Sequence, residues 1–119
     1  MELMSSAHAL YGRWITELWN GRPVAAELVT DDFVGHWPGR EVQGPDALAQ
    51  IIEQTRNMFS DLSFAIQVGP LSEGELVAGR WVGTGHGPHG PVSFTGNDIL
   101  RLAADGRRFA EYWTGTSAG

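Results

Sequence analysis

An α+β fold is predicted for this chain, and two patterns carry the prediction. Near the N-terminus apolar residues recur at three-to-four spacing, which is typical of an amphipathic helix: Leu3, Ala7, Leu10, Trp14 and Leu18. Later in the chain apolar and polar residues alternate between glycine-rich and proline-rich turns, which is typical of antiparallel strands. A strongly curved sheet wrapped around a long helix makes a cone with an apolar interior and a pocket at its wide end.

Three helices are expected in the first half of the chain. The first covers Glu2 to Asn20 and is followed by a glycine that suits a helix C-terminus. The second covers Pro23 to Val29, since proline is favourable in a first helical turn. The third opens at Gly44-Pro45-Asp46, with an acidic residue favourable in its first turn, and ends at Asp61.

Five strands are expected. A short strand lies between the second and third helices, and four antiparallel strands follow the third. Two of these four form a long hairpin centred on the stretch Gly79 to Asp98, and an Asp-Gly turn precedes the last strand. The remaining strands are Phe33 to Trp37, Leu62 to Pro70 and Arg108 to Thr116.

Alternation in the long hairpin marks one residue as chemically unusual. Asp98 is in step with Phe94 and Leu100, so its carboxylate is expected to point toward the buried face. Burying a carboxylate is costly unless it is paired, hydrogen-bonded or protonated. Asp98 is therefore a candidate functional residue, the alternative being a carboxylate that is paired with Arg80 or with a backbone amide.

Two tryptophans suggest a partner. Trp81 and Trp113 have the opposite strand phase to Arg80 and Tyr112, so they are expected on the outer face of the sheet. An exposed pair of tryptophans is hard to explain in a monomer. The sequence therefore predicts a homodimer formed through the outer sheet face.

Composition narrows the class of protein. The 119 residues fit one domain, residues 1–119, and the net charge of −6 argues against nucleic-acid binding. There is no cysteine and no lysine, which excludes thiol nucleophiles, cysteine-ligated metals and Schiff-base chemistry. No apolar run is long enough to span a membrane, and no secretory signal opens the sequence, so a cytoplasmic location is expected.

Four short motifs are distributed along nearly the whole chain: Phe33–His36, Gly44-Pro45-Asp46, Gly83-Thr84-Gly85-His86, and a final hairpin from Asp105-Gly106-Arg107 to Glu111-Tyr112-Trp113. Together they resemble the SnoaL-like polyketide cyclases of the nuclear transport factor 2-like (NTF2-like) superfamily. The resemblance implies a cone-shaped α+β barrel in which three N-terminal helices pack on a curved, mostly antiparallel sheet. It leaves the reaction open, because the superfamily includes isomerases, hydrolases, dehydratases, cyclases and binding proteins.

The catalytic residues of two families in that superfamily are mostly not matched at the corresponding positions of this chain. The cyclases have an acid/base aspartate directly after the tryptophan of the last strand, where this chain has Thr114. The similar limonene epoxide hydrolases use an Asp–Arg–Asp set. Arg80 could match their arginine, but Val82 and Thr114 fall where their aspartates would be, so this chemistry is not expected.

Ketosteroid isomerases give the closest partial match, in which two of three catalytic roles could survive with changed residue types. By that resemblance Asp98 falls where a protonated aspartic acid donates to the oxyanion, His36 where the general base lies, and Trp14 where an oxyanion tyrosine lies. A histidine titrates near neutrality and can serve as base or acid. A carboxylic acid in an apolar site stays protonated and can donate. His36 and Asp98 are therefore the predicted catalytic pair.

The resulting hypothesis is a cofactor-independent enzyme for acid/base cyclisation or isomerisation of an apolar carbonyl compound. Six residues are expected to bind an apolar or aromatic ligand: Trp14, Trp37, Phe59, Arg80, His86 and Tyr112. His86 and His89 are poor metal ligands, because no third ligand has suitable spacing, and no metal or cofactor is expected. The alternatives are a non-catalytic ligand-binding protein and a protein-interaction module that uses the outer sheet face.

Overall fold

A computed structural model describes the backbone of residues 2–118 and the side chains of residues 6–115. Its helical elements are α1 (Glu2–Arg13), a π-helical segment (Trp14–Leu18), α2 (Ala25–Leu28) and α3 (Gly44–Asn57). Its strands are β1 (Val29–Trp37), β2 (Arg40–Gln43), β3 (Ser60–Glu73), β4 (Leu76–Gly87), β5 (Gly90–Leu102) and β6 (Phe109–Ala118). Within this described part of the chain, no helix is both long and apolar enough to cross a lipid bilayer.

The strands form one sheet in the order β2-β1-β6-β5-β4-β3. Every neighbouring pair is antiparallel except β1 and β6, which run parallel. This arrangement confirms the predicted α+β class. The parallel pairing matters most for the site, because it brings the strand that follows α2 next to the C-terminal strand.

Two local features differ from the predictions. The first helix does not remain α-helical to Asn20: beyond Arg13 it widens into the π-helical segment, closed by a 3.2 Å hydrogen bond from the Trp19 N–H to the Trp14 carbonyl. Apolar residues at three-to-four spacing fit both an α-helix and a π-helix, so the sequence pattern cannot distinguish the two. In addition, the first strand ends at Trp37 as predicted, but the turn Pro38-Gly39 leads into a further strand, β2, that was not predicted; Gly39 in this turn has a φ of 74° that suits glycine.

The core lies between the inner face of the sheet and the helices. Trp14 is fully buried at its centre, with ring centroids 6.2 Å from Phe33, 5.8 Å from Phe109 and 4.8 Å from Tyr112. Aromatic pairs at such distances contribute beyond the area they bury. The N-terminal helix and the parallel strand pair are therefore held together by one aromatic cluster.

The strand register decides which side chains share a face. One row runs from Gly79 through Asp98 to Thr114 across β4, β5 and β6, and it faces the helices. The adjacent row runs Ala78, Ile99, Trp113 and His36, and it faces outward. The inward direction predicted for Asp98 is confirmed, since its exposed fraction is 1%.

The predicted outward direction of Trp81 is wrong. Trp81 is buried on the inner face of β4, whereas Trp113 lies on the outer face with an exposed fraction of 36%. Alternation along β4 separates two sets of residues but does not say which set is inside. The glycine-containing set is inside, because Gly79 and Gly83 leave space for the rings of Tyr11 and Phe64.

Candidate functional site

Asp98 lies at the centre of a buried hydrogen-bond cluster. Its Oδ1 accepts from Tyr112 Oη at 2.8 Å, Trp81 Nε1 at 3.1 Å and Thr114 Oγ1 at 3.2 Å. Its Oδ2 accepts from Tyr11 Oη at 3.2 Å. Asp98 is the one buried charged residue of the described chain, and four donors from three other elements converge on it.

These contacts set the acidity of the cluster. Burial raises the pKa of Asp98 to about 6, and the hydrogen bonds from Tyr112, Trp81, Thr114 and Tyr11 oppose that rise. Burial and the nearby Asp98 carboxylate raise the pKa of both tyrosines well above their ordinary value. At neutral pH the cluster therefore holds an ionised carboxylate whose tyrosine neighbours keep their protons.

Two glycines make room for donors of this cluster. A Cβ on Gly79 would lie 2.6 Å from the Tyr11 ring, and a Cβ on Gly96 would lie 2.2 Å from the Trp81 indole. Such distances are far inside van der Waals contact, so a larger residue at either position would displace the aromatic ring. The glycines of β4 and β5 thus allow Tyr11 and Trp81 to reach Asp98.

An apolar cavity of about 690 Å³ adjoins this cluster. Among the described residues no charged side chain lines it, and its wall is largely aromatic and aliphatic: Trp19, Trp37, Met58, Phe59, Phe64, Trp81, Pro91, Val92, Phe94 and Tyr112, with Thr55, Ser93 and Thr114 as hydroxyl residues. Trp81, Tyr112 and Thr114 belong both to this wall and to the donor set of Asp98. We call the part of the cavity that they form the cavity floor. The volume of the cavity lies within the range of about 300–1,000 Å³ that is usual for ligand pockets in proteins.

The wall is fixed from outside by two polar side chains. Asn20 accepts from the Phe64 N–H at 2.8 Å and donates to the Phe64 carbonyl at 3.2 Å, as a neighbouring strand would. Arg56 of α3 donates to the carbonyls of Trp19 and Leu62. The cavity is thus held between β3, the end of the π-helical segment and α3.

Three of the predicted ligand-binding residues line the cavity: Trp37, Phe59 and Tyr112. Trp14 does not, because it is enclosed in the aromatic core. Its indole N–H has no hydrogen-bond partner among the described residues, yet the ring contacts Phe33, Phe109 and Tyr112 on its sides. The expectation that Trp14 contacts a ligand is therefore corrected to a packing role.

Arg80 and His86 lie on the outer face of β4, contrary to the prediction. Arg80 donates to Gln67, Asn97 and Thr95 across the outer surface. The His86 side chain is 54% exposed and lies 3.7 Å from Asp61. Both predictions rested on the same assignment of faces that misplaced Trp81, so one error of phase explains all three.

His36 also lies on the outer face, and the predicted pairing of His36 with Asp98 does not form. Its Nε2 is 2.7 Å from Glu111 and its Nδ1 3.3 Å from Glu41, and its ring stacks on Trp113. The hydrogen bond with His36 is the main reason that the pKa of Glu111 lies below its usual range. The sheet separates these polar contacts of the outer face from the cavity, because β1 presents Phe33 and Gly35 inward and His36 outward.

Tyr11, Trp81 and Thr114 are site residues that the sequence interpretation missed. Their signal was weak: Tyr11 belongs to the apolar stripe of α1, and Thr114 was considered only as the place of a missing aspartate. The pairing of Asp98 with Thr114 across β5 and β6 puts the carboxylate beside that position, on the neighbouring strand.

Among the described residues, no group of three potential ligands is placed to hold a metal ion.

Comparison with known proteins places the chain in a family. Residues 11–112 match the model of the SnoaL-like domain. A search of curated protein sequences gave no match. A solved structure of a candidate SnoaL-like polyketide cyclase from Jannaschia sp. CCS1 is similar with a TM-score of 0.85 and 18% identity, covering 98% of this chain and 89% of that chain.

Two further solved structures agree. A candidate isomerase of the SnoaL-like family from Agrobacterium tumefaciens C58 has a TM-score of 0.74 and 19% identity, covering 98% of this chain and 99% of that chain. A protein with a ketosteroid isomerase-like fold from Catenulispora acidiphila, in complex with trimethylamine, has a TM-score of 0.74 and 18% identity, covering 89% of this chain and 83% of that chain. At such identities the likeness concerns the fold alone. With the domain match over most of its length, the chain belongs to the SnoaL-like family and has the NTF2/ketosteroid isomerase-like fold.

Proposed function

We propose that this protein is a cofactor-independent enzyme that isomerises or cyclises an apolar carbonyl compound by acid/base chemistry. One observation carries the proposal: a buried carboxylate lies directly behind an apolar cavity, and three of its four hydrogen-bond donors line that cavity. Carboxylates with raised pKa values in apolar sites are suited to proton transfer near neutral pH. The cyclase and isomerase names of the similar structures support the same reaction class.

Asp98 would act as the base in this scheme. Its pKa of about 6 leaves it mostly ionised at neutral pH while it is a stronger base than an ordinary aspartate. Because Asp98 is only 1% exposed, the proton would pass through a hydroxyl of the cavity floor. A substrate C–H next to a carbonyl gives its proton to the oxygen of Tyr112 or Thr114, and that hydroxyl passes its own proton to Asp98.

The remaining steps account for the electron pair and the proton that this transfer moves. The C–H electron pair becomes the enolate, and Asp98 becomes a carboxylic acid. Returning the proton through the same hydroxyl to a different carbon completes an isomerisation, whereas attack of the enolate carbon on a second carbonyl, followed by protonation of the new alkoxide, completes a cyclisation. The base role moves from His36 to Asp98, because His36 lies on the other side of the sheet.

Exchange of α-protons for deuterium tests the proposal without knowledge of the natural substrate. We would follow 2-tetralone, an enolisable bicyclic ketone, in D₂O by proton NMR with wild-type protein, Asp98→Asn and the charge-matched surface control Asp31→Asn. We expect faster exchange with wild type and Asp31→Asn than in buffer, and a loss of at least about 100-fold in Asp98→Asn. Equal rates in wild type and Asp98→Asn would refute the role of Asp98.

A reversible ligand-binding protein is the second candidate. It is favoured by the fact that every hydrogen bond of Asp98 is made within the protein, as in a structural buried carboxylate. In that case 2-tetralone binds, as seen in its line broadening, but its α-protons exchange no faster than in buffer. The same NMR samples therefore separate the two functions.

We also propose that two copies associate through the outer sheet face, as the sequence predicts, although Trp81 takes no part. Five large apolar side chains are exposed on this face: Val68, Leu71, Leu76, Ile99 and Trp113. Leu71, Ile99 and Trp113 lie in one row across the sheet, together with Ala78. A continuous exposed apolar row of this kind is typical of an interaction surface, and a two-fold axis would pair the row with itself.

A further inference from the structure

The cavity floor offers a ligand hydrogen-bond acceptors rather than donors, as a count of the protons in the Asp98 cluster shows. We call this its hydrogen-bonding polarity. Ionised Asp98 carries no proton, so each of its four hydrogen bonds uses a proton of its partner. Tyr11, Tyr112 and Thr114 each have one hydroxyl proton, and Trp81 has one indole proton. Thr114 also lies in hydrogen-bonding contact with Tyr112, so its proton stays within the cluster whichever neighbour accepts it.

What remains for a ligand at the cavity floor is therefore a set of acceptors. The indole N–H of Trp81 is used and has no lone pair to offer, whereas the hydroxyl oxygens of Tyr112 and Thr114 keep lone pairs. On the far wall the Thr55 hydroxyl donates to the Ile51 carbonyl at 2.9 Å, so its proton is also used. A ligand that brings only a carbonyl or ether oxygen to this floor would place two acceptors against each other in an apolar site, which is unfavourable.

We propose that the cavity selects planar apolar ligands that present an O–H or N–H donor to the hydroxyl oxygens of Tyr112 and Thr114. For the proposed function this fixes the orientation of the substrate: an enol or phenol hydroxyl points to the floor while the reacting carbonyl lies toward the open end of the cavity. The inference rests on the proposed use of this cavity but does not require catalysis. A site built to donate to a substrate carbonyl would have the opposite polarity.

The matched pair carbazole and dibenzofuran tests this polarity. Both are planar tricycles of the same shape, and the ring N–H of one is replaced by an ether oxygen in the other. Neither ionises in the pH range used. Carbazole binding would be measured by its fluorescence, and dibenzofuran by its competition with carbazole. At pH 8 we expect carbazole to bind wild type about tenfold more tightly, the value of one hydrogen bond gained against an unpaired acceptor.

Two variants test whether the preference for carbazole over dibenzofuran arises at the cavity floor. Thr114→Val keeps the shape and removes one acceptor, so the ratio of affinities should fall toward one. Thr55→Val makes the same change on the opposite wall and should keep the wild-type ratio. Equal affinities in wild type, tighter binding of dibenzofuran, binding of neither compound, or loss of the preference in Thr55→Val with Thr114→Val unaffected would each overturn the inference.

Acidification provides a second test. The titratable groups that face Asp98 in the described chain are Tyr11 from α1 and Tyr112 from β6, while Trp81 and Thr114 do not ionise. When Asp98 gains a proton, the cluster holds one proton more than before, and a hydroxyl of the floor is released to donate to a ligand. The carbazole preference should therefore shrink from pH 8 to pH 5, and an unchanged ratio would contradict the inference.

The carbazole preference and the exchange of 2-tetralone can each fail without the other. Exchange of 2-tetralone without any carbazole preference would leave the proposed enzyme intact and refute the acceptor floor. A carbazole preference without exchange would establish the acceptor floor in a binding protein.

Discussion

Replacing Asp98 by asparagine is expected to change how the stability of the protein depends on pH. The pKa of Asp98 rises from 3.8 to about 6 on folding, so the folded protein holds its proton more tightly than the unfolded chain does. As pH rises from about 4 to about 6, the unfolded chain loses this proton first, and stability falls. The shift corresponds to about 3 kcal/mol at 1.36 kcal/mol per pKa unit.

Asparagine fits the site well enough for this comparison. The amide oxygen can accept the three hydrogen bonds that Asp98 Oδ1 accepts. The amide nitrogen can donate to the oxygen of Tyr11, whose own proton then loses its acceptor at a cost that does not depend on pH. The variant should therefore fold and lack the titration. We expect the free energy of unfolding of wild type relative to Asp98→Asn to fall by about 2.4 kcal/mol between pH 4 and pH 8, because the carboxyl of the unfolded chain is already more than half ionised at pH 4.

Urea unfolding followed by tryptophan fluorescence at several pH values measures this difference. Other carboxylates act in both proteins; for example, the lowered pKa of Glu111 makes stability fall as pH decreases, and that contribution cancels in the comparison. Asp31→Asn, an exposed change of the same charge, should follow the wild-type curve. A difference that does not vary with pH, or that grows in favour of wild type as pH rises, would refute the desolvation argument.

Three further predictions concern other parts of the molecule. Gly96→Ala should displace the Trp81 indole and lower the free energy of unfolding by about 1–3 kcal/mol, seen in urea unfolding and near-ultraviolet circular dichroism, whereas Gly115→Ala, with nothing within 4 Å of its added methyl, should have little effect. His36→Gln removes the hydrogen bond with Glu111 and the contact with Glu41 on the outer face, so it should cost at most about 1 kcal/mol and leave 2-tetralone exchange unchanged; loss of exchange would show that the outer face contributes to the reaction. Ile99→Asp places a charge in the exposed apolar row and should convert a dimer to a monomer in light scattering coupled to gel filtration, while a monomeric wild type would contradict self-association.

The sequence by itself determined the fold class, the family and the position of the buried carboxylate. Three-to-four spacing and strand alternation are local properties of the chain, and they hold wherever one face of an element is buried. The inward direction of Asp98 followed from its phase relative to Phe94 and Leu100 within a single strand. A charged residue in an apolar phase is a strong signal, because few arrangements tolerate it.

Only the tertiary structure decided the partners of that carboxylate and the sides of the sheet. Tyr11 lies 87 positions before Asp98 in the chain, and it reaches Asp98 because Gly79 leaves room for its ring. Arg80 and His86 were assigned to the pocket from strand phase, and His36 from the resemblance to the ketosteroid isomerases. In β4 neither alternating set is plainly apolar, so phase divides that strand into two faces without naming the inner one. That choice depends on where the helices pack, and here they pack on the face where small residues make space for aromatic rings.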